Sequence, residues 1–228
     1  LRQLGWSDYE VLNAVELALG AKGLEDYVNG RPFVPKTFAP SAEKSLLDWR
    51  ADAESPSVRA RFEDAETVTE DGVTFLRLRP GSQLTVSPKA EKTAENRPRT
   101  FYARVRPHGR DAFCQVFAPC KSRYDFVVRE GRFEPGAVFW PPDDRYHSVG
   151  VEGRQAQACD AWHDVIVTHD PNGAARVYVD GVLRRTEELT RLHGTSISGK
   201  GVGLSGGLSS KTDPDARIDI ARLALAYE

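Results

Sequence analysis

The stretch from Trp162 to Gly181 constrains the fold more than any other part of the chain. Residues 162–169 carry a β-branched run, which favours a strand. Residues 170–173 read Asp-Pro-Asn-Gly, four turn-forming residues in succession. Apolar and polar residues then alternate over 175–180, the period of a half-buried strand, and Asp180-Gly181 signals a second hairpin turn. The stretch therefore predicts a three-stranded antiparallel meander whose apolar face must be covered by a second sheet.

The motifs Trp-His-x-Val-x-Val-Thr (162–168) and Val-Tyr-Val-Asp-Gly (177–181) resemble the central hairpin of laminin-G-like domains, which belong to the concanavalin A-like lectin and glucanase superfamily. Four flanking segments resemble an early strand pair, the next strand and the last two strands of that family: Val73–Val86, Phe101–Pro107, Gly201–Gly206 and Ile218–Tyr227. The resemblance covers residues 57–228 and implies an all-β, two-sheet antiparallel jelly-roll sandwich. The family includes lectins, adhesion modules, glycosidases and lyases, so the resemblance does not fix a function.

The rest of the chain supports an all-β sandwich. About a dozen short alternating segments are separated by turn residues, and helices do not alternate with strands. In the last segment Ile218 and Ile220 share one parity, whereas Leu223 and Leu225 share the other. A single β-bulge near Ala221-Arg222 would explain the change.

The N-terminal quarter differs from the rest. Ser7 to Gly20 predicts a helix, because Ser7 and Glu10 have the spacing of a capping box and Gly20 is a natural stop. Arg31 to Pro40 contains three prolines and predicts an extended linker lying against the body of the protein. Ser41 to Arg50 predicts one more short helix. We therefore expect a helical and Pro-rich extension over 1–56 and the sandwich over 57–228.

The composition of the chain limits the classes of partner that it can bind. A net charge of −2 argues against non-specific attraction to nucleic acid, and no apolar run is long enough for a membrane span. The chain begins at Leu1 and contains no Met, so we expect a piece of a longer multidomain chain. Three cysteines leave two alternatives open: a disulfide among Cys114, Cys120 and Cys159, or free buried thiols. The family resemblance favours a secreted or cell-surface protein.

Arginines alternate with core residues on several predicted strands, and five of them could share one sheet face: Arg77, Arg79, Arg104, Arg106 and Arg176. Such a basic strip would suit a carboxylated or sulfated glycan, because the guanidinium fork matches these groups. The alternative is that these arginines face solvent and pair with nearby carboxylates.

Aromatic residues in and beside a Pro-rich loop suggest a surface on which a sugar ring could stack. Trp140, Tyr146 and His147 could stack on apolar ring faces of a sugar, although Trp140 could equally plug the end of the sandwich. The lyases of this superfamily use Arg, Gln, His and Tyr on the concave sheet, and the same residue types occur here without the motifs. Our candidate ligand-binding residues are Arg104, Arg106, Tyr124, Trp140, Tyr146 and His147.

Catalytic and metal motifs are weak. The Glu-x-Asp-x-x-Glu strand of the related glucanases does not occur, although carboxylates from different strands could still meet. The five histidines form no close pair of the kind found in helical zinc motifs, and His163 is expected to be structural. We therefore expect no cofactor. The resemblance leaves calcium possible, and the loop carboxylates Asp170, Asp213 and Asp215 could bind it.

These observations predict a non-catalytic glycan- or protein-binding module of a larger extracellular protein, for example an accessory domain of a carbohydrate-active enzyme, with a polysaccharide or glycoprotein as ligand. The alternative is a polysaccharide lyase or glycosidase acting on the concave face. A third class is an assembly domain that docks through its N-terminal helix.

Overall fold

A computed structural model describes residues 5–90, 93–94, 97–118, 122–139, 147–170, 174–188, 199–200 and 203–228, with the backbone alone at 93–94, 147 and 199–200. One helix, α1 (Asp8–Val28), precedes the strands. In chain order the strands are β1 (Ser45–Arg50), β2 (Val58–Glu70), β3 (Val73–Pro88), β4 (Thr93–Ala94), β5 (Arg99–His108), β6 (Asp111–Ala118), β7 (Ser122–Arg129), β8 (Arg132–Phe139), β9 (His147–Gly150), β10 (Gln157–Ala158), β11 (His163–His169), β12 (Ala174–Val179), β13 (Val182–Glu188), β14 (Gly199–Lys200), β15 (Leu204–Ser209) and β16 (Arg217–Tyr227).

The strands form the predicted two-sheet antiparallel jelly-roll sandwich. We call the sheet β3-β16-β5-β11-β12-β13 the front sheet and the sheet β10-β8-β7-β6-β15-β3 the back sheet. The first half of β3 pairs with β16 and its second half pairs with β15, so β3 belongs to both sheets. The segment expected to form a strand pair, Val73–Val86, is therefore one continuous strand that passes from one sheet to the other.

The passage between the sheets is a corner built into β2 and β3. Gly81 has φ +98°, and opposite it Asp64 has φ +51° at a break in the register of β2 with β3. Ser82 joins the two strands, because its hydroxyl accepts from the Arg79 N–H at 2.9 Å and donates to the Asp64 carbonyl. Bulges of this kind increase local twist and bend a strand, which is the geometry that a corner requires.

The core lies between the two sheets. Phe101 of β5 stacks on Tyr124 of β7 with ring centroids 3.7 Å apart, and Phe133 of β8 stacks on His163 of β11 at 5.5 Å. The inner faces of both sheets are otherwise aliphatic and aromatic, and nearly all of these side chains are fully buried. Cys114 is buried among them as a free thiol, and Cys159 is free as well, so neither is in a disulfide.

The meander around which the sequence is organised is confirmed. β11, β12 and β13 pair in succession, and Asp180-Gly181 turns the second hairpin with φ +53° and +79°. The bulge predicted in the last strand is also confirmed, because the register of β16 with β5 shifts between Ile220 and Arg222.

The prediction of a helix over 41–50 is wrong: Ser45–Arg50 is strand β1, paired with β16. The reason is tertiary. β3 pairs with β16 only as far as Ile220, because Ile220 lies opposite Leu76, close to the first residue of β3, Val73. The edge of β16 from Arg222 to Ala226 would be left without partners, and β1 supplies them.

Helix α1 has the predicted capping box, with the Ser7 N–H 2.8 Å from Glu10 Oε2 and the Glu10 N–H 3.3 Å from Ser7 Oγ. At Gly20 the helix is kinked, with φ +72°. A second helical part then continues to Val28. Within the described ranges, no helix is long and apolar enough to cross a membrane.

The Pro-rich linker lies against the front sheet, as predicted. Phe38 stacks on Tyr102 of β5 at 4.8 Å, and the Lys36 N–H donates to the Gly181 carbonyl at 2.8 Å. The linker therefore covers part of the outer face of the front sheet. The division of the chain at residue 56 stays a prediction, although β1 shows that the sheet recruits residues before that point.

Candidate ligand-binding surface

The outer face of the front sheet brings together three of the five arginines of the predicted strip. Along β5, Ala103 and Val105 point into the core, whereas Arg104 and Arg106 point outward. Arg77 of β3 reaches the same face, because it binds the same carboxylate as Arg106. Of the other two, Arg79 lies at the corner and pairs with Glu66 at 2.7 Å, whereas Arg176 of β12 faces outward beside Tyr178, at a separate hollow. The shared face is thus real, but its arginines differ in what they contact.

Arg77 and Arg106 are occupied by an internal ion-pair network. Both converge on Asp219 of β16, which is fully buried, with Nε–Oδ1 of Arg77 at 2.9 Å and Nη2–Oδ2 of Arg106 at 2.8 Å. Both also bind Glu70, at 3.1 Å and 2.7 Å. Arg106 is further enclosed between the rings of Phe75 and Trp162, at 4.9 Å and 5.0 Å. Arg106 was predicted to bind a ligand, and this stays a prediction, although its donors already serve the network.

His108 completes the network around Asp219. Its Nε2 lies 3.0 Å from Asp219 Oδ2 and its Nδ1 lies 2.5 Å from Asp160 Oδ1. Burial tends to raise the pKa of Asp219, but hydrogen bonds from His108, Arg77 and Arg106 outweigh burial and hold the pKa well below its usual range. Asp219 is therefore a permanent anion that ties β3, β5 and β16 together.

Arg104 remains accessible. Its side chain is 42% exposed, and its ion pair with the similarly exposed Asp164 is long, at 3.5 Å. The guanidinium lies over the ring of Trp162, 5.8 Å from the centroid. A long pair between two exposed groups contributes little and exchanges readily with a ligand. Arg104 is therefore the predicted ligand-binding residue that the structure leaves available.

A groove of about 340 Å³ lies beside Arg104 on this outer face. We call it the cationic groove, because its lining includes three arginines and one carboxylate. Its lining residues are Arg50, Asp52, Gly72, Val73, Thr74, Tyr102, Arg104, Ala221 and Arg222. Guanidinium groups that can turn toward a ligand are the feature that an anionic ligand would use.

The three arginines of the cationic groove are held differently. Arg222 is fixed by a two-pronged ion pair with Asp48 of β1, at 2.8 Å and 2.7 Å, and this pairing raises its pKa. Arg50 is exposed and makes no ion pair with any other residue in the described ranges. The groove therefore combines one rigid guanidinium with two, Arg50 and Arg104, that can turn toward a ligand.

Tyr102 forms a polar wall of the groove. Its hydroxyl donates to Asp164 Oδ1 at 2.7 Å, while its ring is covered by Phe38 on one side and lies 5.1 Å from the Arg222 guanidinium. Burial, and then the bond to Asp164, raise the pKa of Tyr102. The hydroxyl is therefore neutral and oriented, which suits a hydrogen-bonding role and not that of a base.

The remaining predicted residues do not join this site. Tyr124 is 2% exposed and stacks on Phe101 in the core, so a ligand cannot reach it, and its assignment as a ligand-binding residue is wrong. Trp140 and Tyr146 lie outside the described residues. His147 begins β9 opposite Phe139, with its backbone alone described.

Sequence reasoning missed two residues of the groove. Arg50 was placed in a helix that is a strand, so its position at a sheet edge could not be foreseen. Arg222 follows the bulge that the sequence did predict, and counting outward-facing positions from that bulge would have found it. The bulge moves Arg222 to the outer face, next to Arg104 in the register of β16 with β5.

The back sheet brings two carboxylates from different strands to one outer face. Asp125 of β7 pairs with Gly136 of β8, and Glu134 of β8 pairs with Val127, so the two carboxylates are diagonal neighbours. They line a hollow of about 130 Å³. Burial raises the pKa of Asp125 although Arg123 Nε lies 2.7 Å from its Oδ1.

Of the three loop carboxylates that could bind calcium, Asp213 has a structural role. Asp213 accepts from the Arg110 N–H at 2.6 Å and from the Asp215 N–H at 3.1 Å, so its carboxylate caps a turn. His163 was expected to be structural, and it binds Asp180 Oδ2 at 2.8 Å and the Ala158 carbonyl at 2.9 Å. Across the part of the chain that is described, no three His, Cys, Asp or Glu side chains cluster closely enough to hold a metal ion.

Among solved structures, the chain is similar to the ligand-binding domain of botulinum neurotoxin serotype D in complex with N-acetylneuraminic acid, with 12% identity and a TM-score of 0.61 over 82% of this chain and 48% of that one. The binding domain of serotype G matches with 12% identity and a TM-score of 0.58, over 81% and 48%. The chain thus spans about half the length of these domains, and the likeness shows the fold alone. The comparison with curated protein sequences gives no match.

A family profile also matches the chain directly. It is a laminin-G-type profile described as the concanavalin A-like lectin/glucanases superfamily, and it matches residues 80–223, which is more than half of the chain. The matched region includes every strand from β5 to β15. The chain therefore belongs to the laminin-G-like family of the concanavalin A-like lectin/glucanases superfamily.

Proposed function

We propose that this chain is a non-catalytic binding module that recognises an anionic glycan through the cationic groove. The observation that carries the proposal is Arg104, an outward-facing guanidinium that is 42% exposed and only loosely paired, beside a groove that also holds Arg50 and Arg222. Arg50, which makes no ion pair among the described residues, and Arg104, which is loosely paired, favour a carboxylated or sulfated sugar over a neutral one.

Two further observations support a sugar ligand. The ring of Tyr102 is covered by Phe38, but its hydroxyl is oriented by Asp164 and can bind a hydroxyl group of a sugar. One structural neighbour was solved in complex with N-acetylneuraminic acid, a carboxylated sugar. The secreted or cell-surface setting, and membership of a longer multidomain chain, remain parts of this proposal.

Titration calorimetry with uronic, sulfated and neutral oligosaccharides tests the proposal. We expect binding of the acidic sugars alone, weakened about tenfold or more in Arg104→Ala, because a hydrogen bond to a charged group contributes about 1.5–3 kcal/mol. Arg129→Ala is the matched control, since Arg129 is an exposed arginine of the back sheet that pairs with Glu134 at 3.3 Å. Equal binding of neutral sugars, or an Arg104→Ala variant that binds like the control, would show that the groove is not the site.

A second candidate function is hydrolysis or elimination on the back sheet, favoured by the raised pKa of Asp125 beside Glu134. A carboxyl group that keeps its proton is what a general acid requires. The same oligosaccharides, assayed for new reducing ends and for the absorbance of unsaturated uronate, test it. Products that disappear in Asp125→Asn and persist in Arg104→Ala would favour this enzyme over the binding module.

A further inference from the structure

A guanidinium group is buried between the two sheets without a carboxylate partner. Arg99, the first residue of β5, is 1% exposed and is among the largest fully buried side chains. Within the described part of the chain, its side chain has one hydrogen-bond partner, Ser122 Oγ, 3.2 Å from Nη2. Its Nε and Nη1 atoms have no partner among those residues, and these atoms carry three of the five N–H bonds of a guanidinium.

The charge of this group cannot be removed by burial. A buried lysine or histidine can lose its proton, but an arginine side chain stays protonated in proteins. An isolated buried charge is costly enough that proteins pair it or bind a counter-ion. No carboxylate among the described residues forms an ion pair with Arg99, so its charge is unbalanced within the described chain.

A second polar group without partners lies beside Arg99. His169 of β11 is paired with Arg99 in the strand register, is 3% exposed and stacks on Phe139 at 4.3 Å. Neither of its ring nitrogens has a hydrogen-bond partner. Burial, and then the nearby charge of Arg99, lower the pKa of His169 to about 3, so its ring is neutral and keeps one N–H to donate.

These groups lie together at one end of the sandwich. β5 begins at Arg99, β7 begins at Ser122, β8 ends at Phe139 and β11 ends at His169, so four strand ends meet at one end of the sandwich. We propose that Arg99, Ser122 and His169 form a binding site for a small oxyanion of the carboxylate or sulfate type. The site is separate from the cationic groove, because Arg99 points between the sheets and Arg104 points outward.

Thermal unfolding of the whole chain tests this site, with acetate or sulfate titrated at constant ionic strength against a bulky sulfonate salt. The midpoint should rise with the logarithm of the ion concentration above Kd, by about 5 °C at a concentration 100 times Kd. A logarithmic rise at constant ionic strength separates site binding from the general stabilisation by salts, which grows in proportion to their concentration. Arg99→Met should lose the shift, and Arg129→Met, which removes an exposed arginine, should keep it.

A shift with acetate but not with glucuronic acid identifies a closed site for a free ion, whereas a shift with both identifies a site that admits the carboxylate of a sugar. Both results support the proposal if Arg99→Met abolishes them. The absence of a logarithmic shift in the unmodified chain overturns it, as does an equal shift in Arg99→Met. If Arg99→Met does not fold, Arg99→Lys and Ser122→Ala must weaken the apparent affinity, and unchanged affinity in both overturns the site.

Discussion

Replacement of Asp219 by asparagine should destabilise the protein strongly. The carboxylate is fully buried and accepts from three side chains: Arg77 at 2.9 and 3.2 Å, Arg106 at 2.8 and 3.1 Å, and His108 at 3.0 Å. Asparagine keeps the shape but removes the charge and places an N–H₂ group against these donors. Breaking a buried ion pair by removing one partner costs about 3–5 kcal/mol, because the other charges stay buried without compensation.

The assay is urea unfolding followed by circular dichroism, with the midpoint and the slope fitted separately. For a chain of this length, the expected loss corresponds to a fall in Tm of roughly 6 to 20 °C. Glu66→Gln is the control, since Glu66 pairs with Arg79 at 2.7 Å while both side chains are about half exposed, and such pairs contribute at most about 1 kcal/mol. If Asp219→Asn costs no more than Glu66→Gln, the reasoning about the buried network is refuted.

The pH dependence of stability provides an independent test of the same residue. The folded-state pKa of Asp219 lies below its unfolded value of about 3.9, so the unfolded chain takes up a proton first as the pH falls. The stabilisation by Asp219 is therefore complete above about pH 5 and is lost as the pH decreases through 4 and below. Asp219→Asn should flatten this part of the stability profile, and an unchanged acid limb would contradict the assignment.

Three further predictions follow from single contacts. Gly20→Ala should destabilise the docking of α1 by more than about 1 kcal/mol in urea unfolding, because φ is +72° and an added Cβ would lie 2.3 Å from the Leu183 carbonyl oxygen; an unchanged midpoint would contradict this. Burial lowers the pKa of His163, but the bond from Asp180 outweighs burial and raises it overall, so its stabilisation should be complete below about pH 6.5 and lost as the pH rises further. Asp180→Asn should remove that loss, as measured by unfolding midpoints between pH 5 and 9. Burial raises the pKa of Cys114 to about 12, so iodoacetamide should label it only after unfolding; rapid labelling of the folded chain, located by mass spectrometry, would show that the core is open there.

The fold was largely predictable because its signals are local. The alternation of the 162–181 meander with its Asp180-Gly181 turn, the capping box at Ser7 and the parity change near Ala221-Arg222 each depend on a few neighbouring residues, and the structure confirms all three. The turn predicted at 170–173 lies mostly outside the described residues. Strand β1 was not predictable. Whether Ser45–Arg50 is helical or extended is decided by the edge that β3 leaves unpaired on β16, and no local pattern reports it.

The candidate site was less predictable, because its contacts join residues that are far apart in the sequence. The outward position of Arg104 and Arg106 follows from the alternation of β5, and the sequence pattern predicted it correctly. Their different roles depend on Asp219, which lies more than a hundred residues away in sequence and occupies Arg106 but not Arg104. Tyr124 was predicted to bind a ligand but points into the core. Its direction is set by the pairing of β7 within the back sheet and by the ring of Phe101.

The central position of β16 has a consequence for synthesis of the chain on the ribosome. β16 is made after every one of its neighbours, β1, β3 and β5, and it lies between β3 and β5 in the front sheet. Until it emerges, the facing edges of β3 and β5 have no partner, so the nascent chain exposes unpaired strand edges for most of its translation. Long-range pairing of this kind also slows folding. A nascent chain arrested before Arg217 should therefore be digested by protease throughout the front sheet, and resistance should appear only once the last strand has left the exit tunnel.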